Sequence, residues 1–117
     1  MACDMKKVST HVLDVNRGRP ASDVPVRLER QAGPGDWRPL SATSTDQDGR
    51  CAQLLPEGEL TPGVYRLVFD TASYFNARQI VGLYPVVEVT FRVREDESQF
   101  HIPLLLSANG YTTYRGS

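Results

Sequence analysis

The chain has 117 residues, 40% of them apolar and 23% charged, with a formal net charge of -1. A chain of this size buries roughly two thirds of its unfolded surface in one core, and its charge shows neither a disordered-chain signature nor the basic excess of a nucleic-acid binder. No apolar run approaches the ~20 residues that span a bilayer, and Met1 to Lys7 lack the apolar stretch of a secretory signal, so a cytoplasmic protein with no nucleic-acid or membrane partner is expected.

Residues 1–8 read as a flexible N-terminus and 9–117 as a single domain. The only two cysteines, Cys3 and Cys51, make neither a disulfide framework nor a metal-ligand spacing, and both are expected to be free thiols. Residues 8–15 form a β-prone run: with Val8 and Val12 turned inward, His11 and Leu13 fall on the opposite face. A turn cluster at 16–20 follows. Residues 24–30 then alternate apolar and polar, as a strand with one wet face does. Further turn clusters, Gly33-Pro34-Gly35-Asp36, Asp46-Gln47-Asp48-Gly49 and Pro56-Glu57-Gly58-Glu59, punctuate the middle of the chain. Between them, 51–55 is another short β-prone run, and 65–69 repeats the alternation.

Residues 70–79 read as the one helix, with Asp70 or Thr71 as its N-cap and no internal glycine or proline. Alternation returns at 87–94. The run 100–106 is different, because its apolar residues occupy both faces. With Ile102, Leu104 and Leu106 inward, His101, Pro103 and Leu105 share an outer face expected to meet another subunit or line a shared cavity. Strands at short intervals with turns between them predict an all-β sandwich.

His11 and His101 are the only histidines, and imidazole is the side chain whose ordinary pKa suits proton transfer near neutrality. Both are predicted on outward strand positions beside apolar neighbours. A structural imidazole is the bland alternative for each. Arg50, after the Asp48-Gly49 turn, reads alone as a solvated charge. Close to two imidazoles it would keep them neutral and offer a planar fork of donors to an oxyanion. The C-terminal cluster from Tyr111 to Ser117 reads alone as a final edge strand. There is no nucleophile elbow, P-loop, dinucleotide fingerprint or HExxH motif.

His11-Val12-Leu13-Asp14, then Gly18-Arg19-Pro20-Ala21 and Val24-Pro25-Val26, resemble the N-terminal motif of the transthyretin family. The run Phe100-His101-Ile102-Pro103-Leu104-Leu105-Leu106-Ser107, followed by Gly110-Tyr111-Thr112-Thr113-Tyr114-Arg115-Gly116-Ser117, resembles its second motif. The terminal Tyr114-Arg115-Gly116-Ser117 is similar to the signature separating the 5-hydroxyisourate hydrolase branch from the hormone carriers. Coverage runs from about Ser9 to Ser117. Ala108-Asn109 departs from the family, which usually has proline and an aromatic residue in that turn.

The resemblance implies a two-sheet sandwich of eight strands with one short helix, assembled as a homotetramer that is a dimer of dimers, with sites shared between subunits. It implies hydrolysis of 5-hydroxyisourate, the urate oxidation product, to 2-oxo-4-hydroxy-4-carboxy-5-ureidoimidazoline, without metal or cofactor. Carried over by residue, it makes His11, Arg50, His101 and Ser117 the catalytic cluster. His11 and Arg50 also contact substrate, with Tyr114, Arg115 and Gly116 shaping the pocket. One imidazole, His101 in preference to His11, would take the proton from water while the other positions substrate or returns a proton to nitrogen. Ser117 would act through its hydroxyl or its terminal carboxylate. The competing readings are a small-molecule carrier without chemistry and an adhesion sandwich. Two imidazoles and a guanidinium suit an apolar ligand poorly, and the missing signal and disulfide pair speak against adhesion.

Overall fold

A computed structural model describes residues 6–56 and 58–116. The element order is β1 (Lys7–Asp14), β2 (Arg19–Pro20), β3 (Pro25–Gly33), β4 (Asp36–Ser44), β5 (Arg50–Cys51), β6 (Gly63–Phe69), α1 (Thr71–Asn76), β7 (Val87–Val93), β8 (Gln99–Ser107) and β9 (Gly110–Thr113). Two of these strands, β2 and β5, have only two residues. One sheet runs β2-β1-β8-β9, with β5 also paired to β1, and the other runs β4-β3-β6-β7. The all-β, two-sheet sandwich with one short helix is as expected.

Alternation builds the core. Val8, Val12, Ile102, Leu104 and Leu106 on one sheet face Val26, Leu28, Tyr65, Leu67 and Phe69 on the other, all of them buried. β1 and β8 pair in parallel with Ser9 opposite His101 and His11 opposite Pro103. This register joins the two ends of the chain side by side. Thr10 reinforces it from within by donating its hydroxyl to the Ile102 carbonyl at 2.6 Å.

The N-terminal boundary differs from expectation. Lys7 and Val8 belong to β1, and Val8 is a core residue, because its isopropyl group completes the inward row with Val12. Lys6 is also buried and donates to the Glu95 and Glu97 carbonyls at 2.7 and 2.6 Å. Residues 1–5, which hold Cys3 and the rest of the predicted flexible segment, lie outside the described residues.

β4 carries no buried residue and so gave no periodic signal. It is an edge strand whose pairing with β3 skips Leu40, so that Glu29 lies opposite Pro39. An edge with a bulge tolerates a proline that cannot donate to a ladder. The run 51–55 is strand only at Cys51. Leu54 and Leu55 are buried by loop packing rather than by pairing.

The helix is shorter than predicted. Asp70 caps it, accepting from the Ser73 amide at 3.0 Å and the Ser73 hydroxyl at 2.6 Å. It stops at Asn76, and Gln79 then takes a left-handed φ of 60° as the Ile80 amide turns back to the Phe75 carbonyl. Tyr74 ties the helix to the end of β1, donating its hydroxyl to the buried Asp14 carboxylate at 2.6 Å. The β8-β9 turn, lacking the family's proline, is held from two sides. The Ala108 carbonyl accepts from the Leu83 amide at 2.8 Å, and the Ala108 amide donates to Asn16 at 3.3 Å.

Candidate active site

Inward and outward alternation on β1 and β8 leaves Ser9, His11, His101 and Pro103 on the outer face of the five-stranded sheet, opposite the core. β5 brings Arg50 to the same face, directly across from His11. The preceding turn explains why. The Asp46 carboxylate accepts from the Asp48 and Arg50 amides, both at 2.9 Å, while the Asp46 carbonyl accepts from the Gly49 amide at 2.9 Å. Gly49 sits at φ +75° with its Cα pressed against the Val12 carbonyl, and the Val12 amide donates to the Gly49 carbonyl at 2.7 Å. Only glycine fits that approach, and it delivers the next residue to His11.

Ser9, Thr10, Arg50, Ala52, Gln99 and His101 line an open cleft of about 290 Å³ on this face. Ser9 Oγ and His101 Nδ1 are hydrogen-bonded at 2.9 Å. Nε2 of His11 is buried and has no hydrogen-bond partner among the described residues. The His101 imidazole is held below its usual pKa, first by burial and then by the nearby His11 and Arg50, which disfavour a second positive charge. A neutral His101 imidazole beside the permanent cation of Arg50 can take a proton from water while the guanidinium stabilises negative charge on oxygen. Among the described residues no group of histidine, cysteine and carboxylate side chains could hold a metal ion.

Among the described residues, the terminal segment reaches this face at Gly116. Gly116 bridges to His101, its amide donating to the His101 carbonyl at 2.7 Å. Tyr114 and Arg115 turn elsewhere. Tyr114 borders a groove of about 230 Å³ with Phe91, Phe100 and Ile102. Arg115 donates to the Glu97 carboxylate at 2.8 Å and the Gln99 carbonyl at 2.9 Å, with its guanidinium over the Phe100 ring. Within one chain, then, His11, Arg50, His101 and Gly116 come together, while the Tyr114 and Arg115 side chains face the edge of the sandwich. Ser117 lies outside the described residues.

Cys51, free and buried, faces inward across from Thr10, and its thiol is pushed up to about 11 by burial and by Asp46. It takes no part in the cleft. Of the residues that line the cleft, Ser9, Thr10, Ala52 and Gln99 were not singled out from sequence. Ser9 stands two positions before His11, so the strand period that placed His11 outward would have found it. Gln99 carries the same relation to His101. No helix among the described residues is long and apolar enough to cross a membrane.

The model of the HIUase/Transthyretin family matches residues 8–116. A 5-hydroxyisourate hydrolase of Mus musculus is 44% identical over 118 residues, covering all of both chains. Among solved structures, the 5-hydroxyisourate hydrolase of Klebsiella pneumoniae superposes with a TM-score of 0.86 at 32% identity, covering 97% of this chain and 100% of that one. Sea bream transthyretin in complex with thyroxine superposes with a TM-score of 0.88 at 30% identity, covering 94% of each.

Proposed function

The chain belongs to the HIUase/Transthyretin family, and from that premise we propose that it is a 5-hydroxyisourate hydrolase of urate degradation, using the outer-face cluster of His11, Arg50 and His101. The observation that carries the assignment of the site is the register that sets Arg50 opposite His11 and Ser9 opposite His101 on one face. An apolar ligand would be better served by aliphatic groups on this face. Here the face holds two imidazoles and a guanidinium.

Water attacks a ring carbonyl of the substrate, and the adjacent C–N bond then breaks. The new C–O bond comes from the water oxygen, one water proton passes to the imidazole of His101, and the imidazolium so formed returns that proton to the ring nitrogen as it leaves, with His11 positioning substrate. General acid-base help of this kind is worth roughly 10²- to 10⁴-fold. Arg50 stabilises charge growing on the carbonyl oxygen, a donor contribution of about 3 kcal/mol. Ser117 is assigned to the same cluster by the family resemblance, with the role of orienting the water. Tyr114 and Arg115, whose side chains turn from this cleft within one chain, are assigned to the pocket by the family resemblance.

The reading includes a homotetramer, a dimer of dimers in which outer faces meet across a channel. The half-buried Leu105 on the outward side of β8 supports a face that another subunit covers. A cytoplasmic setting belongs to the same proposal and accords with the free thiol of Cys51.

The test is the ultraviolet absorbance of freshly generated 5-hydroxyisourate with intact protein, His101→Ala and a form lacking Ser117. Decay well above the spontaneous rate with intact protein, lost in both variants while assembly is kept, is the expected result. An intact protein that leaves the decay unchanged removes the hydrolase reading.

A further inference from the structure

We propose that Ser9 is a positioning residue for His101: its hydroxyl accepts a hydrogen bond from Nδ1–H and so holds the imidazole in the tautomer whose Nε2 lone pair faces the cleft. The inference rests on the hydrolase reading for its consequence in turnover, but the tautomer can be measured without it.

Three contacts define the ring. Ser9 Oγ lies 2.9 Å from Nδ1. On the opposite edge, a Cβ built on Gly116 would stand 2.5 Å from His101 Cδ2, so the terminal backbone abuts that atom. The Gly116 amide also holds the His101 carbonyl at 2.7 Å. Backbone, Nδ1 and Cδ2 are therefore all occupied, and Nε2 is the ring nitrogen left for substrate.

The direction of the Ser9 bond follows from the chemistry. If the hydroxyl donated to Nδ1, the neutral imidazole would carry its proton on Nε2 and could not accept another there. If it accepts from Nδ1–H, Nε2 is a base. After the base has taken its proton, Nδ1 remains a donor, so one geometry serves both states. Among the described residues, the charged or titratable groups that face His101 are His11 from β1 and Arg50 from β5, and the terminal segment presents the Gly116 backbone. None of the described residues lining the cleft is a carboxylate. A histidine base is often oriented by a carboxylate, which also raises its pKa. A hydroxyl orients the ring without adding that charge, which leaves His101 neutral.

The experiment combines nitrogen-15 NMR of the histidine rings with steady-state hydrolysis of 5-hydroxyisourate, on intact protein, Ser9→Ala, Ser9→Thr and Ser9→Asp. In the intact protein His101 is expected to carry its proton on Nδ1. Ser9→Ala should mix the tautomers and lower kcat about tenfold, a fraction of the ~10²- to 10⁴-fold available to a placed base, with KM little changed. Ser9→Thr, which keeps the hydroxyl on a β-branched residue suited to a strand, should restore most of both. Ser9→Asp should move the acid limb of the pH profile upward. A proton found on Nε2 in the intact protein overturns the proposal, as does a Ser9→Ala protein with unchanged tautomer and unchanged kcat. Should Ser9→Ala fold poorly, the intact protein and Ser9→Thr still decide the tautomer. If the intact protein is inactive, the hydrolase reading falls while the NMR result stands by itself.

Discussion

Gly116 and His101 are in a contact that admits no side chain: a Cβ on Gly116 would reach 2.5 Å from Cδ2 and 3.3 Å from Cγ of the imidazole. The last described residue of the chain thus forms one wall of the seat of a proposed catalytic base. Gly116 acts by what it lacks.

Gly116→Ala is therefore expected to push the ring from its seat. Displacing a catalytic group by about 1 Å can cost ~10²-fold in rate, and a loss of that order in kcat is expected with the melting temperature nearly unchanged, since the segment lies outside the core. Parallel kinetics and thermal unfolding would check it; a fully active variant would mean that the ring has room to spare.

The depressed pKa of His101 sets the pH dependence. A base that stays neutral below the ordinary histidine value of about 6.5 keeps its activity through that pH and loses it only as pH falls through the lower folded-state value. Stability follows the same sign: the unfolded chain binds the proton first, so the contribution of His101 is complete above the unfolded pKa and is lost as pH falls through the folded one. Arg50→Gln removes one of the causes and should shift the acid limb of kcat/KM upward, besides lowering the rate by roughly 10²-fold if Arg50 acts as an oxyanion donor. An acid limb that stays in place would show that Arg50 does not act on His101.

Tyr74→Phe takes away the hydroxyl that meets the buried Asp14 carboxylate at 2.6 Å. Leaving a buried acceptor short of a partner costs about 1–3 kcal/mol. Denaturant unfolding should show a lower midpoint with an unchanged slope, while kcat is kept, because Asp14 and Tyr74 lie on the core side.

Gly49→Ala tests the turn that supplies Arg50. Both the left-handed φ of 75° and the close approach to the Val12 carbonyl oppose a Cβ. Lower stability and lower activity are expected together, since the same contact joins β5 to β1 and sets Arg50 across from His11. Activity unchanged at full stability would separate the turn from the site.

Cys51 should resist alkylation in the native protein at neutral pH and react on unfolding, because its buried thiol is held up to about 11. Peptide-resolved mass spectrometry distinguishes it from Cys3.

Much of the fold was legible in the sequence because half-buried strands write their burial as a period of two. The inward rows of Val8 and Val12, and of Ile102, Leu104 and Leu106, together with the outward His11 and His101, follow from that alternation alone. β4 was not legible, since an edge strand with both faces in solvent has no period to show. Nor was the length of the helix, which stops at Asn76, three residues before Gln79 adopts a left-handed backbone.

The sequence by itself determined which residues could carry proton transfer, and that they lie on outer strand faces, because side-chain direction in a strand is a local property. It did not determine that they meet. His11 and His101 are separated by most of the chain, and only the parallel pairing of β1 with β8 sets them on neighbouring strands. Arg50 joins them through a turn whose glycine packs against Val12, and Ser9 becomes a partner of His101 only in that register. Local periodicity specifies a face, whereas register between distant strands depends on the packing of the whole core, and it is register that makes these side chains one site.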